Sequence, residues 1–182
     1  MSNDSMYTIF LDAGHGGSNP GAVYEGRREK DDALALTLTV GEYLTSYGFQ
    51  VLYSRTEDIY ESPYQKAMEA NASGADIFIS IHRNSSPLPN TYSGVESLVY
   101  NTWLPAGTIA ANINRQLERI GYKNLGVNAR PNLVVLRDTQ MPAVLVEVGF
   151  INTDSDNLLL GTRFDDTARA IADGIAGTLW SW

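Results

Sequence analysis

Short apolar runs alternate with stretches of helical periodicity along this chain. Six runs have the length and the flanking turn residues that are typical of buried β-strands. They are the run from Tyr7 that leads to His15, residues 50–54, the run from Asp76 that leads to His82, and residues 94–100, 133–136 and 143–148. The last run is apolar throughout except for Glu147, as expected of a strand that is covered on both faces.

The segments between these runs predict helices. Residues 31–47 place their apolar side chains on one wide face, and Gly48 ends that helix. Ser62 as N-cap and Pro63 at the first helical position begin a second helix, which continues to about Ala72. The other helices are marked by a stripe before Gly121 (Ile109, Ile113, Leu117, Ile120), by Thr153 as a cap, and by a terminal stripe (Phe164, Ala168, Ile171, Ile175, Leu179).

This alternation predicts the α/β class, with a twisted, mostly parallel six-stranded sheet and helices on both faces. Residues 126–131 are expected to form a looser connection, and no internal repeat or linker divides the chain. Residues 7–182 are therefore predicted to form one domain. Residues 1–6 are interpreted as a flexible N-terminal lead or a remnant of an expression vector, and they do not enter the fold argument.

The two histidines of the chain each follow a strand-like run and enter a polar segment. His15 is followed by Gly16 and Gly17, and His82 by Arg83 and Asn84, so both strands are expected to end at the histidine. Ligands of open α/β sheets gather at the carboxyl ends of the strands, and neutral imidazole is a common metal ligand. Two hydrogen-bonded histidines at a sheet edge are the alternative. The paired placement favours a metal site.

Glu147 is the third informative residue, because a carboxylate inside an apolar run is costly to bury without a partner or a function. An edge-strand glutamate that faces water is the alternative interpretation. At the end of a central strand, beside a metal, this carboxylate would serve as a catalytic base that takes a proton from water and returns it to the leaving group.

A third metal ligand is needed, since catalytic zinc sites normally have three protein ligands and one open position. The segment 25–32 offers four acids just before the first helix: Glu25, Glu29, Asp31 and Asp32. Spacing alone does not choose among them, and at least three of the four are expected to be solvated charges or partners of the helix dipole.

Composition narrows the possible functions. The chain has 182 residues, of which 43% are hydrophobic, enough for one ordinary domain with a sizeable core. It contains no cysteine, so a metal would need nitrogen and oxygen ligands. The formal net charge of -8 argues against nucleic acid as a partner. No run approaches the roughly 20 apolar residues of a membrane span, so no membrane association is expected.

Four segments resemble, in order and spacing, the signatures of the zinc-dependent N-acetylmuramoyl-L-alanine amidases (amidase type 3 catalytic domain). They are residues 11–17 (LDAGHGG), 29–31 (EKD), 80–82 (SIH) with Asn84, and 142–147 (PAVLVE). The resemblance extends from Tyr7 to the terminal helix. It implies a phosphorylase/hydrolase-like fold, zinc ligation by His15, Glu29 and His82, and a catalytic role for Glu147; it thereby selects Glu29 from the four acids.

The activity implied by the resemblance is hydrolysis of the amide between N-acetylmuramic acid and L-alanine in peptidoglycan or muropeptides, as in autolysins and endolysins. The alternatives are a related zinc peptidase acting on stem peptides and a non-catalytic wall-binding module of the same fold. The second is disfavoured because all four implied residues are present. Serine hydrolysis is disfavoured because the chain has no Gly-x-Ser-x-Gly elbow.

Arg83 departs from the family pattern, which commonly has a small residue between the histidine and Asn84. We hypothesise that Arg83 projects toward the substrate groove and pairs with a carboxylate of the stem peptide, with a solvated loop arginine as the alternative. Asn84 is expected to support the site from behind or to stabilise a turn.

Action at the bacterial cell wall is expected. The sequence shows no signal peptide, which suggests an excised catalytic domain or release on cell lysis. Bacterial walls are rich in anions, so a domain with a net charge of -8 gains no general attraction to them. A separate cell-wall-binding domain outside this chain would then supply the targeting.

Overall fold

The computed structural model describes residues 7–103 and 105–182, so the interpretation of residues 1–6 lies outside the described part. The strands are, in chain order, β1 (Thr8–Ala13), β2 (Val23–Tyr24), β3 (Arg27–Arg28), β4 (Gln50–Tyr53), β5 (Ile77–Asn84), β6 (Val95–Val99), β7 (Asn124–Ala129) and β8 (Ala143–Phe150). The helices are α1 (Glu29–Ser46), α2 (Pro63–Ser73), α3 (Ala106–Arg119), α4 (Val134–Arg137), α5 (Asp154–Thr162) and α6 (Phe164–Leu179).

Six of the described strands form one sheet in the order β4-β1-β5-β8-β6-β7, while β2 and β3 form a small antiparallel pair. Within the large sheet β4, β1, β5 and β8 run parallel to one another. Strand β6 is antiparallel to β8, and β7 follows β6 in parallel. The α/β class with a mostly parallel six-stranded sheet is therefore confirmed, and one antiparallel pairing makes the sheet mixed.

Helices cover both faces of this sheet, as predicted. Alternate strand residues such as Ile79 and Val146 pack with α1, α3 and α6 in the larger core. The intervening residues, such as Phe78 and Leu145, pack with α2 and α4 in a smaller core. Because side chains alternate between faces along a strand, the buried apolar residues of the large sheet divide between these two cores. None of the described helices has the length and apolar composition that a membrane span requires.

Two predicted elements are wrong, and they are neighbours in the chain. Residues 126–131, expected to be loose, contribute to β7, which is the last strand of the sheet and pairs with β6. Residues 133–136, expected to be the sixth strand, instead form the short helix α4, where backbone N–H groups of Leu136 and Arg137 donate to the Leu133 carbonyl. A short apolar run is compatible with either a strand or a buried helical turn, and here the helix covers the smaller core.

The first helix and the strand with His82 both extend further than predicted. Helix α1 begins at Glu29, and three acids (Glu29, Asp31 and Asp32) lie in its first turn, where the helix dipole favours negative charge. Strand β5 continues past His82 to Asn84, with a shift of register against β8 between these two residues. Helix α2 begins as predicted, with a capping box between Ser62 and Gln65.

Candidate functional site

His15 lies in the glycine-rich turn after β1. The strand ends at Ala13, and His15 adopts a left-handed backbone conformation (φ 59°). Its Nδ1 atom is 3.2 Å from Asn19 Oδ1, which also accepts the Gly21 N–H at 3.0 Å. Asn19 therefore fixes the ring from the loop side, and Nε2 points toward Glu29, whose Oε1 atom is 3.0 Å away.

Glu29 is the first residue of α1 and is 4% exposed. Its Oε1 atom lies 2.9 Å from His82 Nδ1 and accepts the Arg83 backbone N–H at 3.1 Å. Its Oε2 atom accepts the Ala22 N–H at 2.9 Å. Burial raises the pKa of Glu29, but hydrogen bonds from His15 and His82 outweigh it and hold this pKa well below its usual value. The group is therefore a carboxylate at neutral pH.

These three side chains fit a metal ion. One nitrogen from each of His15 and His82 and one carboxylate oxygen of Glu29 lie within 4.8 Å of one another. We call these three side chains the metal group. The two imidazole rings are 4.9 Å apart and nearly perpendicular, so each presents a ring nitrogen to the same carboxylate oxygen. Two imidazoles and one carboxylate are a donor set that catalytic zinc sites use. The predicted histidines and the acid selected by the resemblance are thus brought together.

Glu147 lies next to this group. It is the register partner of His82 across the parallel β5–β8 pairing, so the two side chains project from the same face of the sheet. Its Oε2 atom is buried and has no hydrogen-bond partner among the described residues. Burial raises the pKa of Glu147 to about 7; the positive charge of His82 opposes this shift, while Glu29 and Glu96 add to it. A carboxyl group with this pKa can both accept and release a proton near neutrality.

A cleft of about 280 Å³ lies on the same face of the sheet and reaches the metal group. His15 and His82 line it together with Leu145. Its walls come from the start of α2 and from the segment that enters α4, which contribute mainly apolar side chains: Tyr60, Pro63, Leu133, Val134 and Val135. Helix α4, which the sequence analysis did not predict, is therefore one wall of the site.

Arg83 does not reach this cleft, which corrects the hypothesis of a groove-facing arginine. Its residue surface is 2% exposed, and its guanidinium forms an ion pair with Asp32 and donates to Asn157 Oδ1 at 2.8 Å. The reason is the continuation of β5 beyond His82: consecutive strand residues point to opposite faces, so Arg83 enters the core under α1 and α5. Only its backbone N–H contacts the metal group, through Glu29.

Asn84 lies at the end of β5 and uses its side chain locally. Its Oδ1 atom accepts the Ser85 N–H at 2.8 Å, and its Nδ2 donates to Glu96 Oε2 at 3.2 Å. Glu96 is the register partner of Glu147 on β6 and also accepts from Asn128 Nδ2 at 2.8 Å. Asn84 therefore stabilises the turn at Ser85 and contacts Glu96, the residue that pairs with Glu147.

Sequence reasoning missed a buried charged network behind the site. Asp12 on β1 accepts hydrogen bonds from Ser54 at 2.7 Å and from Ser80 at 2.6 Å, and it pairs with Lys66 at 2.7 Å. Arg55, 2% exposed, donates to backbone carbonyls around the His15 turn. Asp12 could have been found by the argument applied to Glu147, since it is also a carboxylate in an apolar strand.

The fold and the site define an α/β protein with a two-histidine, one-carboxylate group that suits a metal ion and a buried glutamate beside it. A family model described as N-acetylmuramoyl-L-alanine amidase matches residues 9–177. The chain therefore belongs to the N-acetylmuramoyl-L-alanine amidase family, and the resemblance seen in the sequence is confirmed.

Individual relatives agree with this assignment. The chain is 37% identical over 176 residues to the sporulation-specific N-acetylmuramoyl-L-alanine amidase of Bacillus subtilis (strain 168), covering 93% of this chain and 67% of that protein. It is 38% identical over 178 residues to the endolysin of Bacillus phage SPP1, covering 94% of this chain and 65% of that protein. The chain thus spans about two thirds of the length of each of these two relatives.

The fold agrees as well. The crystal structure of N-acetylmuramoyl-L-alanine amidase from Clostridium difficile 630 superimposes with a TM-score of 0.91 at 32% identity, and the match covers 97% of this chain and 98% of that one.

Proposed function

We propose that this chain is a zinc-dependent hydrolase of the amide bond between N-acetylmuramic acid and L-alanine, acting on peptidoglycan or muropeptides at the bacterial cell wall. The observation that carries the proposal is the convergence of His15, Glu29 and His82 beside Glu147, in a chain of the amidase family. We assign the first three residues as zinc ligands and Glu147 as the acid–base residue.

Zinc is proposed because the ligand set has two nitrogens and one carboxylate oxygen, and because the group lies at the edge of an open cleft. When bound, zinc would supply a Lewis acid that lowers the pKa of a water molecule and polarises the amide carbonyl. The outer nitrogen of His15, Nδ1, donates a hydrogen bond to Asn19 Oδ1, and this supports the assignment, since metal-bound histidines usually have such an acceptor.

The reaction then depends on Glu147 for its proton transfers. The carboxylate takes a proton from the attacking water as the water oxygen bonds to the carbonyl carbon of the lactyl group. It returns that proton to the alanine nitrogen as the carbon–nitrogen bond breaks, so the products are a lactyl carboxylate and a free amine. A pKa of about 7 suits both steps, because the group is partly deprotonated and still a competent acid near neutral pH.

The absence of a hydrogen-bond partner at Glu147 Oε2 among the described residues supports the same role. A buried polar atom without a partner is costly in a folded protein and calls for an explanation. Here a water molecule or the substrate amide nitrogen would complete its hydrogen bonding during the reaction. The glutamate is therefore proposed to be held ready for a ligand.

Identification of the products tests the proposal. Purified protein with and without added zinc is incubated with defined muropeptides, and the new chain ends are identified by mass spectrometry. We expect a muramic acid with a free lactyl carboxylate and a peptide with a free L-alanine amine, and we expect both to disappear after chelation and return with zinc. Shortened peptides that remain attached to muramic acid would identify a peptidase instead, and no product under any condition would favour a binding module.

A further inference from the structure

Arg55 is a buried cation whose hydrogen bonds all go to backbone carbonyl oxygens. It lies two residues after the end of β4 and is 2% exposed. Its Nε donates to the Ala13 carbonyl at 3.1 Å and its Nη1 to the Glu57 carbonyl at 3.0 Å. Among the described residues no carboxylate lies within ion-pair distance of it. A buried charge is costly unless it is hydrogen-bonded. Moving these carbonyl groups away from the guanidinium would therefore cost free energy.

The remaining nitrogen of Arg55 connects the backbone segments beside two candidate metal ligands. Nη2 donates to the Gly14 carbonyl at 2.9 Å and to the Lys30 carbonyl at 2.9 Å. Gly14 immediately precedes His15, and Lys30 immediately follows Glu29. One guanidinium nitrogen therefore joins the end of β1 to the start of α1, the two segments that present two of the three candidate ligands.

The His15 turn needs such support because its backbone conformation is unfavourable on its own. His15 has φ 59°, which is an unfavourable conformation for a residue with a side chain. The carbonyls of Ala13, the last residue of β1, and of Gly14, the next residue, accept hydrogen bonds from side chains: Arg55 for both and Lys66 for Ala13 at 2.6 Å. Of these two cations, only Arg55 also contacts α1.

We propose that Arg55 is a positioning residue that sets the separation of His15 and Glu29 and thereby the affinity of the metal centre. The inference uses the metal group of the proposed function but does not depend on which bond is hydrolysed. Arginine suits the task because its planar guanidinium donates in several fixed directions at once, whereas lysine has a single nitrogen on a flexible stem.

The zinc affinity of Arg55→Lys tests this proposal. The variant keeps the charge, but its single nitrogen cannot take the place of three guanidinium nitrogens that contact four carbonyl groups. Competition with a chelator of known affinity is used to measure the zinc dissociation constant of the variant and of the parent. We expect the constant to rise by about 10- to 100-fold, the range seen when residues that orient metal ligands are removed.

A matched control separates positioning from general stability. Leu117→Ala removes a buried side chain of α3 that packs in the larger core, away from the site, and it lowers stability without touching the turn. Its zinc dissociation constant should stay within about twofold of the parent value. Urea unfolding of the zinc-free proteins is measured in parallel, so that the two variants are compared at known stability.

A second variant covers the case in which Arg55→Lys does not fold. Arg55→Gln keeps two N–H donors on one nitrogen, but its side chain is two bonds shorter than that of arginine, so the same weakening of zinc affinity is expected. The proposal is overturned if a folded Arg55 variant binds zinc with the parental constant, or if Leu117→Ala weakens binding equally. Failure of the amidase assay would leave this result unaffected, because zinc binding is measured without substrate.

Discussion

Glu147 differs from Glu29 in its contacts, although both carboxylates belong to the same site. Glu29 accepts hydrogen bonds at both of its oxygens, whereas Glu147 Oε2 has no partner among the described residues. Since this oxygen of Glu147 forms no hydrogen bond that holds the metal group together, we expect that Glu147 can be replaced without loss of that group. We therefore separate metal binding from proton transfer by substitution.

Glu147→Gln is expected to retain zinc and to lose roughly a hundredfold to ten-thousandfold in turnover of a muramoyl-peptide substrate. The amide has nearly the same shape but cannot accept and return a proton, and the loss is the usual range for a positioned acid or base. Turnover and zinc content are measured together, with the exposed Glu42→Gln on α1 as control. Near-parental turnover of the Glu147 variant would remove this residue from the reaction.

Gly14→Ala is expected to weaken zinc binding at least tenfold. A Cβ atom at Gly14 would lie 2.4 Å from Cε1 of the His82 ring, so the imidazole must move. The backbone of Gly14 is not left-handed, so the effect comes from the ring and not from strain at the substituted residue. Zinc titration of the variant checks this, with Gly177→Ala as a control whose added Cβ meets open space. A parental zinc affinity in Gly14→Ala would show that the ring has room to shift.

The sequence was sufficient to single out His15, His82 and Glu147, because each histidine follows an apolar run and Glu147 interrupts one. Glu29 required the family resemblance, since four acids lay close together and only the fold shows which one begins α1. Arg83 was misplaced because the strand was expected to end at His82. Strand β5 continues through Arg83, whose side chain therefore points to the face opposite that of His82. The carbonyl contacts of Arg55 depend on three separated segments, and no local pattern reveals such contacts.

At the scale of elements, helices and strands with strong periodicity were predictable, and short elements were not. Helix α6 and strand β8 have long apolar patterns that admit one interpretation. Strand β7 (NLGVNA) is short, is only half-buried at the edge of the sheet, and places asparagine or glycine between its apolar residues, so its sequence resembles a loop. Helix α4 (VVLR) is a single turn whose β-branched residues favour a strand locally, and packing on α2 overrides that preference.

Two glycines of α6 are expected to respond in opposite ways to substitution by alanine. At Gly177 a Cβ meets open space, so Gly177→Ala should stabilise the protein by about 0.5–1 kcal/mol through the helix propensity of alanine. At Gly174 a Cβ would lie 2.5 Å from the Cα atom of Ile113, where α6 packs closely on α3. Gly174→Ala should therefore destabilise the protein by about 1–3 kcal/mol.

Urea unfolding of the two variants measures this difference directly. Both substitutions add the same methyl group to the same helix, so propensity cancels in the comparison and the contact with α3 is what differs. Equal stability of the two variants would mean that α3 and α6 can separate at little cost. Neither position contacts the metal group, so zinc affinity should be unchanged in Gly177→Ala.

At the scale of the whole molecule, the fold brings the site together from distant parts of the chain. His15 follows β1, Glu29 begins α1, His82 lies near the end of β5 and Glu147 near the end of β8. Strands β1, β5 and β8 are adjacent and parallel, so their carboxyl ends meet at one edge of the sheet, where α/β proteins commonly bind ligands. The parallel order of the central strands is therefore what turns three separate sequence signals into one site.

The net charge of -8 predicts that salt affects the hydrolysis of intact walls differently from that of a small substrate. Bacterial walls carry many anionic groups, so the wall and this chain should repel each other at low ionic strength. Raising salt from about 0.01 M to about 0.1 M shortens the Debye length from about 30 Å to about 10 Å and screens this repulsion. Hydrolysis of intact walls should then become roughly twofold or more faster, while hydrolysis of a small uncharged muropeptide analogue should be nearly unchanged.

The two substrates control for each other, because any effect of salt on folding or on the metal centre would change both rates alike. If the wall rate falls as salt rises, an attractive charged surface on this chain recruits the wall, and the net charge is then a poor guide to its targeting. If the wall rate increases as expected, the domain gains nothing from charge when it approaches its polymer. Attachment to the wall would then depend on a separate binding element, and fusing such an element to this chain should abolish the dependence of the wall rate on salt.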